Sequence, residues 1–180
     1  MSARKNTWST EDLQNLDNTY QMHPWSAMGK ESYGLDVFDS ASGIYMVNRD
    51  GERFIDGPGG MWCVNIGHGR REIGEAMTHQ ISQLGYASPW TSTTEPSTML
   101  ARRIAEETPG DLNTVFFTTG GSSAVDTALR FVQFYNNVKG RPEKKVFISR
   151  EKAYHGSTYL SASVSGKERD RKFLDTNTDF

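Results

Sequence analysis

Residues 115–123 read VFFTTGGSS, an apolar run that passes directly into two glycines and two serines. Aromatic and β-branched side chains at 115–118 predict a buried strand. The glycines and serines open a predicted helix, because Val125, Leu129 and Val132 recur at helical spacing. A second apolar run at 146–149 predicts another strand. The sequence therefore indicates a strand–helix–strand crossover of a parallel sheet, which is expected to be right-handed.

The glycines and serines between the predicted strand and helix are candidates for holding an anion. The first N–H groups of a helix lack partners within the helix, and the helix dipole favours negative charge there. Gly120 and Gly121 would let a phosphate approach the backbone, and the Ser122 hydroxyl could add a hydrogen bond. A tight turn with a serine N-cap explains the same residues. The Gly-x-Gly-x-x-Gly and Walker lysine patterns are absent.

A second candidate group follows the predicted strand at 146–149, where residues 153–158 read AYHGST. Ligands of open α/β sheets bind beyond the carboxyl ends of the strands, so Tyr154 is expected at the same sheet edge as Ser122. A flat aromatic ring beside a phosphate site suits a flat, phosphorylated cofactor. Packing in the core is the alternative for Tyr154, and for His155 a structural role at the next helix is favoured.

The region before the crossover combines a predicted hairpin with a glycine-rich turn. Apolar and aromatic runs at 44–47 and 53–56 flank the turn residues NRDG, which predicts two antiparallel strands. Residues 57–62, GPGGMW, are too rich in glycine for a regular element. By composition alone, Trp62 suits a core as well as a pocket wall.

Helices are expected on both sides of this turn. Ser9 is a fair N-cap for a first helix, and apolar spacing predicts others over about 70–84 and 95–107. In the crossover helix, Asp126 and Arg130 are spaced for an i,i+4 ion pair.

Composition excludes several classes of protein. The 180 residues carry 20 Lys and Arg against 22 Asp and Glu, and a net charge of −2 does not suit a general nucleic-acid binder. The single cysteine, Cys63, cannot form an internal disulfide, and four scattered histidines make no metal site. Cys63 is expected to be a small buried residue. Because no apolar run approaches the length of a membrane span, we expect a cytoplasmic protein with no membrane or nucleic-acid partner.

Taken together and in this order, the motifs resemble the N-terminal part of a class III aminotransferase, in the ω-amino acid and amine:pyruvate branch of the fold type I pyridoxal-phosphate enzymes. The stretches that carry the resemblance are IDG at 55–57, GMWCVNIGHGR at 60–70, VFFTTGGS at 115–122 and YHGST at 154–158. The resemblance implies an α/β fold, in which a hairpin of the small domain precedes the start of a mostly parallel three-layer sheet. Residues 1–85 would hold the N-terminal segment and part of the small domain, and residues 86–180 the beginning of the large cofactor-binding domain.

The resemblance implies a pyridoxal 5′-phosphate site. Gly121 and Ser122 match the positions whose backbone and hydroxyl hold the cofactor phosphate in the family, and Tyr154 matches the aromatic residue that stacks on the cofactor ring and borders the substrate. Two positions depart from the family pattern: Ser123 stands where relatives usually have glutamate, and Gly120 where many have serine.

The resemblance also implies a substrate pocket in a homodimer with shared active sites. Trp62 matches a tryptophan that lines this pocket, Trp90 an aromatic residue that reaches the neighbouring subunit's site, and Trp25 lies near another pocket aromatic. Such a pocket favours small apolar or aromatic amines as donors, with a keto acid such as pyruvate as acceptor. His68 replaces a common tyrosine of the family.

The family's Schiff-base lysine and the acid that pairs with the pyridine nitrogen are expected beyond Phe180, so no catalytic residue is assigned in this chain. The expectation is that the chain is a fragment of a larger enzyme. Two alternatives stay open: another pyridoxal-phosphate reaction on the same fold, or, if the chain is complete, a non-catalytic module that binds a phosphorylated ligand or a partner.

Overall fold

The computed structural model describes residues 8–25 and 35–177, which fall into two compact units, Met1–Ala87 and Ser88–Phe180. The first unit contains α1 (Thr10–Tyr20), β1 (Phe38–Ser42), β2 (Tyr45–Asn48), β3 (Arg53–Ile55), α2 (Gly59–Trp62) and α3 (Arg71–Gln83). The second contains α4 (Glu95–Glu107), α5 (Gly121–Val138), α6 (Tyr159–Ser163) and α7 (Glu168–Arg171). Among the described residues, each helix is too short or too polar to cross a bilayer. The assignment of the units to a small and a large domain stays a prediction.

The three strands form an antiparallel sheet in the order β1-β2-β3, which contains the predicted hairpin. Tyr45 pairs with Ile55 and Val47 with Arg53. The buried Asn48 organises the turn between these strands, because its Oδ1 accepts hydrogen bonds from the backbone N–H groups of Asp50 and Glu52 at 3.1 and 2.9 Å. A side chain that supplies the turn's acceptors fixes the register locally.

The predicted helices are present. Ser9 caps α1 in a capping box: its Oγ accepts from the Asp12 N–H at 3.0 Å, and the Asp12 carboxylate accepts from the Ser9 N–H. The helices α3 and α4 lie within a residue or so of the expected ranges. The crossover helix α5 begins at Gly121, as the spacing of its apolar residues predicts.

The glycine-rich turn at 57–62 contains α2. It is a left-handed helical turn rather than a regular α-helix. Gly59, Gly60, Met61 and Trp62 have positive φ angles of 58°, 59°, 55° and 69°. Backbone bonds from the N–H groups of Trp62 and Cys63 to the carbonyls of Pro58 and Gly59 close the turn. Glycine adopts this conformation freely, whereas Met61 and Trp62 are strained by it. Cys63, at the end of the turn, is exposed, so its expected burial is wrong.

The two strands predicted in the crossover do not form within the described residues. Residues 115–118 and 146–149 pair with no strand there, and two of their apolar side chains, Phe116 and Ile148, are 76% and 96% exposed. Apolar β-branched runs favour strands, but a strand exists only when a neighbouring strand accepts and donates its backbone hydrogen bonds. The parallel sheet is therefore not assembled in this part of the chain.

Candidate functional site

The first turn of α5 presents backbone donors without partners. Its N-cap, Gly120, has no side chain to accept a hydrogen bond, and the first intrahelical bond from this end is made by the Ala124 N–H. In the described part of the chain, the N–H groups of Gly121, Ser122 and Ser123 therefore have no acceptor. Three such donors at the positive end of an 18-residue helix attract an anion.

Both glycines at this helix start leave open space. A Cβ added at Gly120 or Gly121 would meet no atom within 4 Å. The φ of Gly120 is 176°, an extended conformation that any residue adopts. Neither backbone strain nor packing within the chain requires glycine here, which leaves room for a ligand to reach the N–H groups.

The structure brings Ser122 and the segment 154–158 together. Ser122 Oγ accepts a hydrogen bond from the Ser157 N–H at 3.0 Å, and Ser157 Oγ shares a hydrogen bond of 2.7 Å with the Tyr154 hydroxyl. The Tyr154 side chain is 47% exposed, so it does not pack in a core within this chain. Three residues that the sequence singled out, Gly121, Ser122 and Tyr154, therefore lie in one local arrangement.

Asp126 is a member of this site that the sequence reasoning missed. One turn after Ser122 on α5, its Oδ1 accepts hydrogen bonds from the Thr158 hydroxyl at 2.7 Å and from the Ser161 N–H at 2.8 Å. The i,i+4 spacing to Arg130 had indicated a different, local partner. The signal that could have found the contact is the hydroxyl-rich stretch STYLSASVS at 157–165, whose side chains need partners when they are buried.

Hydrogen-bonded serines support the segment 154–158 and the start of α6. Ser161 is fully buried, and its Oγ lies 2.7 Å from the Thr158 hydroxyl. The buried Ser165 accepts a hydrogen bond from the His155 N–H at 2.9 Å and donates to the Ser161 carbonyl at 2.9 Å. These contacts hold the segment 154–158 and the first turn of α6 as one packed unit.

Trp62 is presented by the left-handed turn, which an acid–histidine pair supports. Asp56 Oδ1 accepts a hydrogen bond from the Gly60 N–H at 3.1 Å, and Asp56 Oδ2 accepts from His68 Nε2 at 2.8 Å. The Asp56 side chain is only 7% exposed. The hydrogen bond from His68, with that from the Gly60 N–H, holds the pKa of Asp56 below its ordinary value.

We expect the free energy of unfolding of Asp56→Asn to depend less on pH in the acid range than that of the parent protein. Because the folded-state pKa of Asp56 is lowered, its carboxylate stabilises the fold above the unfolded pKa of about 3.9, and that contribution is lost as the pH falls through the folded pKa. Urea unfolding of both forms between about pH 6 and pH 2 measures the difference. The lowered pKa of Asp12, caused by its hydrogen bonds with Ser9, is common to both forms and cancels. Parallel curves would contradict the assignment.

The remaining predicted pocket residues are exposed. Trp25 and Trp62 belong to the first compact unit, and Trp90, 92% exposed, belongs to the second, as does Tyr154. A shared pocket of these four aromatic residues stays a prediction. In residues 8–25 and 35–177, no group of three or more His, Cys, Asp or Glu side chains is placed to hold a metal ion.

Comparison with protein families matches residues 28–178 to the aminotransferase class-III model. The putrescine–pyruvate aminotransferase of Pseudomonas aeruginosa is 36% identical over 168 residues, which cover 92% of this chain and 37% of that protein.

Solved structures agree with the sequence comparison. The (S)-enantioselective ω-transaminase of Thermomicrobium roseum matches with a TM-score of 0.90 at 32% identity, over 95% of this chain and 39% of that one. The ω-transaminase of Pseudomonas jessenii, solved in complex with PMP, matches with a TM-score of 0.87 at 32% identity, over 92% of this chain and 37% of that one. The chain thus spans less than two fifths of the length of these proteins, and the likeness confirms the predicted fold class.

Proposed function

The chain belongs to the class III aminotransferase family, and we propose that the complete protein is a pyridoxal-phosphate-dependent transaminase. It would move an amino group from an amine or ω-amino acid to a keto acid such as pyruvate. The observation that carries the proposal is the pairing of an uncapped helix start with an aromatic residue: Ser122 at the first turn of α5 is hydrogen-bonded to Ser157, which is hydrogen-bonded to Tyr154. A cytoplasmic location is part of the proposal.

The residues of this arrangement fit a phosphorylated aromatic cofactor. The free N–H groups of the first turn of α5 and the open space at Gly121 suit a phosphate, and Ser122 lies beside them. The exposed ring of Tyr154 would stack on the cofactor ring. When bound, pyridoxal phosphate supplies an electron sink for the transfer of the amino group. The chain's own part in that chemistry is to bind the phosphate, orient the ring and leave one ring face to the substrate.

The substrate side of the proposal rests on tryptophans. Trp62, on the left-handed turn, would line the pocket together with Trp25, and the exposed Trp90 would reach the neighbouring subunit of a homodimer. Large aromatic side chains favour apolar or aromatic amines over densely charged ones. The putrescine–pyruvate aminotransferase relative supports an amine donor with pyruvate as acceptor.

The test is to express the complete open reading frame that encodes this chain and to assay it as purified. We expect cofactor absorbance in the near-ultraviolet and visible range, and pyruvate consumption that depends on an added amine. A full-length protein that binds no pyridoxal phosphate would contradict the proposal. A protein that binds the cofactor without transferring amino groups would favour another reaction on the same fold.

For Trp90→Ala we expect kcat/KM to fall about tenfold with an apolar amine, while the free energy of unfolding changes by no more than about 0.5 kcal/mol. The side chain is 92% exposed within the chain, so its removal costs little packing there. Steady-state kinetics and urea unfolding separate the two effects. Trp90→Phe keeps an aromatic face and should recover most of the activity. An unchanged kcat/KM in Trp90→Ala would show that Trp90 does not reach the substrate.

A further inference from the structure

We propose that Asp126 is a positioning residue that holds the segment 154–158 against α5 and thereby sets the place of the Tyr154 ring. The inference rests on the proposed function, because it concerns the cofactor ring. Asp126 lies one turn after Ser122 on the same face of α5. It does not belong to the first-turn donors that face the phosphate, so its role differs from theirs.

Two short sets of hydrogen bonds join α5 to the segment and to the start of α6, beside a longer contact of 3.5 Å from the Thr158 hydroxyl to the Ser122 carbonyl. The first is the hydrogen bond from the Ser157 N–H to Ser122 Oγ at 3.0 Å. The second is Asp126 Oδ1, which accepts from the Thr158 hydroxyl at 2.7 Å and from the Ser161 N–H at 2.8 Å. Hydrogen bonds to a carboxylate are shorter and stronger than those between neutral groups. The Asp126 set is therefore the stronger of the two.

Removal of the Asp126 carboxylate would affect its two hydrogen-bond donors differently. The Thr158 hydroxyl can turn to Ser161 Oγ, which lies 2.7 Å away. The N–H of the fully buried Ser161 would lose the carboxylate to which it donates at 2.8 Å and keep the neutral Thr158 hydroxyl of the α6 capping box as an acceptor. Exchanging a charged acceptor for a neutral one weakens a buried hydrogen bond, so the first turn of α6 would shift.

A shift of α6 would move the Tyr154 ring, because the start of α6 is joined to Tyr154 through Ser157. Thr158 is the N-cap of α6, and Ser157, its neighbour, is hydrogen-bonded to the Tyr154 hydroxyl at 2.7 Å. The phosphate donors, in contrast, are the first N–H groups of α5, and their positions follow from that helix alone. Asp126 should therefore matter for a ligand with an aromatic ring and matter little for inorganic phosphate.

The test compares two probes on the complete protein freed of cofactor. Pyridoxamine 5′-phosphate carries the ring but no aldehyde, so it binds without a covalent bond to lysine. Inorganic phosphate carries only the anion. For Asp126→Ala we expect the Kd of pyridoxamine phosphate to rise about tenfold and that of phosphate to rise less than about threefold. The circular dichroism of the bound ring should weaken as well.

Asp126→Asn and Leu129→Ala are the matched variants. Asn keeps an oxygen that can accept from Thr158 and Ser161, so both dissociation constants should stay within about threefold of the parent values. Leu129 is buried on the same helix, and Leu129→Ala should lower stability while leaving both constants unchanged. If Asp126→Ala does not fold, Thr158→Val removes one donor of the same set and should shift the same probe in the same direction.

The outcomes separate this inference from the proposed function. A parent protein that binds neither probe overturns both. A parent that binds pyridoxamine phosphate, with Asp126→Ala binding it equally well, overturns the positioning role alone. Equal weakening of both probes in Asp126→Ala, or weakening of the ring probe in Leu129→Ala to the same extent, would also overturn it, because a general loss of structure would then explain the result.

Discussion

Gly121→Asp is expected to abolish retention of pyridoxal phosphate by the complete protein while leaving it folded. A Cβ at this position meets no atom within 4 Å, so the new side chain has room. A carboxylate in the first turn of α5 interacts favourably with the helix dipole, by about 0.3–1 kcal/mol, and stability should not fall. The same carboxylate occupies the place proposed for the phosphate. Two unit charges about 4 Å apart repel by about 4 kcal/mol near a protein surface, which corresponds to a loss of more than about a hundredfold in affinity.

The control for this variant is Gly121→Asn, which has nearly the same size and no charge. We expect it to weaken cofactor binding about tenfold at most, since it crowds the site without repelling the phosphate. The measurement is the cofactor content of the purified proteins, together with the Kd of inorganic phosphate after removal of the cofactor. Full cofactor occupancy in Gly121→Asp would show that the first turn of α5 does not hold the phosphate. Equal losses in both variants would assign the effect to size.

Local signals predicted the helices and the hairpin well, and the reason is visible in the contacts. The Ser9–Asp12 capping box and the Asn48 turn are each made by residues close in sequence. A pattern that acts within one turn can be recognised from the sequence alone. The strands predicted at 115–118 and 146–149 are different, because a strand depends on a partner that local pattern does not specify.

The residues of the candidate site fall into the same two groups, those that local patterns predict and those that depend on a partner distant in sequence. The start of α5 follows from local rules, and Gly121 and Ser122 could be identified from it. The Asp126 contacts with Thr158 and Ser161 join residues far apart in sequence, and periodicity gives no information on such pairs. Asp56 and His68 form another pair of this kind, because they lie 12 residues apart in sequence.

Gly156→Ala is expected to lower the free energy of unfolding by about 3 kcal/mol, the largest stability effect that the site predicts. Gly156 is buried and has a φ of 136°, a conformation that residues with a Cβ rarely adopt. The added Cβ would also clash with the Ser161 hydroxyl and lie 2.7 Å from both Ser122 Oγ and Ser161 Cβ. Ser161 is fully buried and hydrogen-bonded, so it cannot move aside cheaply.

A second glycine gives the cost of an ordinary left-handed backbone conformation without a clash. Gly110 also has a positive φ, 69°, but a Cβ there meets nothing within 4 Å, so Gly110→Ala should cost only the backbone strain, about 1 kcal/mol. Urea unfolding of both variants measures the difference. Because the clash at Gly156 involves Ser122, Gly156→Ala should also weaken binding of pyridoxamine phosphate, whereas Gly110→Ala should not. Equal stability losses in the two variants would mean that segment 154–158 does not pack against α5 as closely as its hydrogen bonds require.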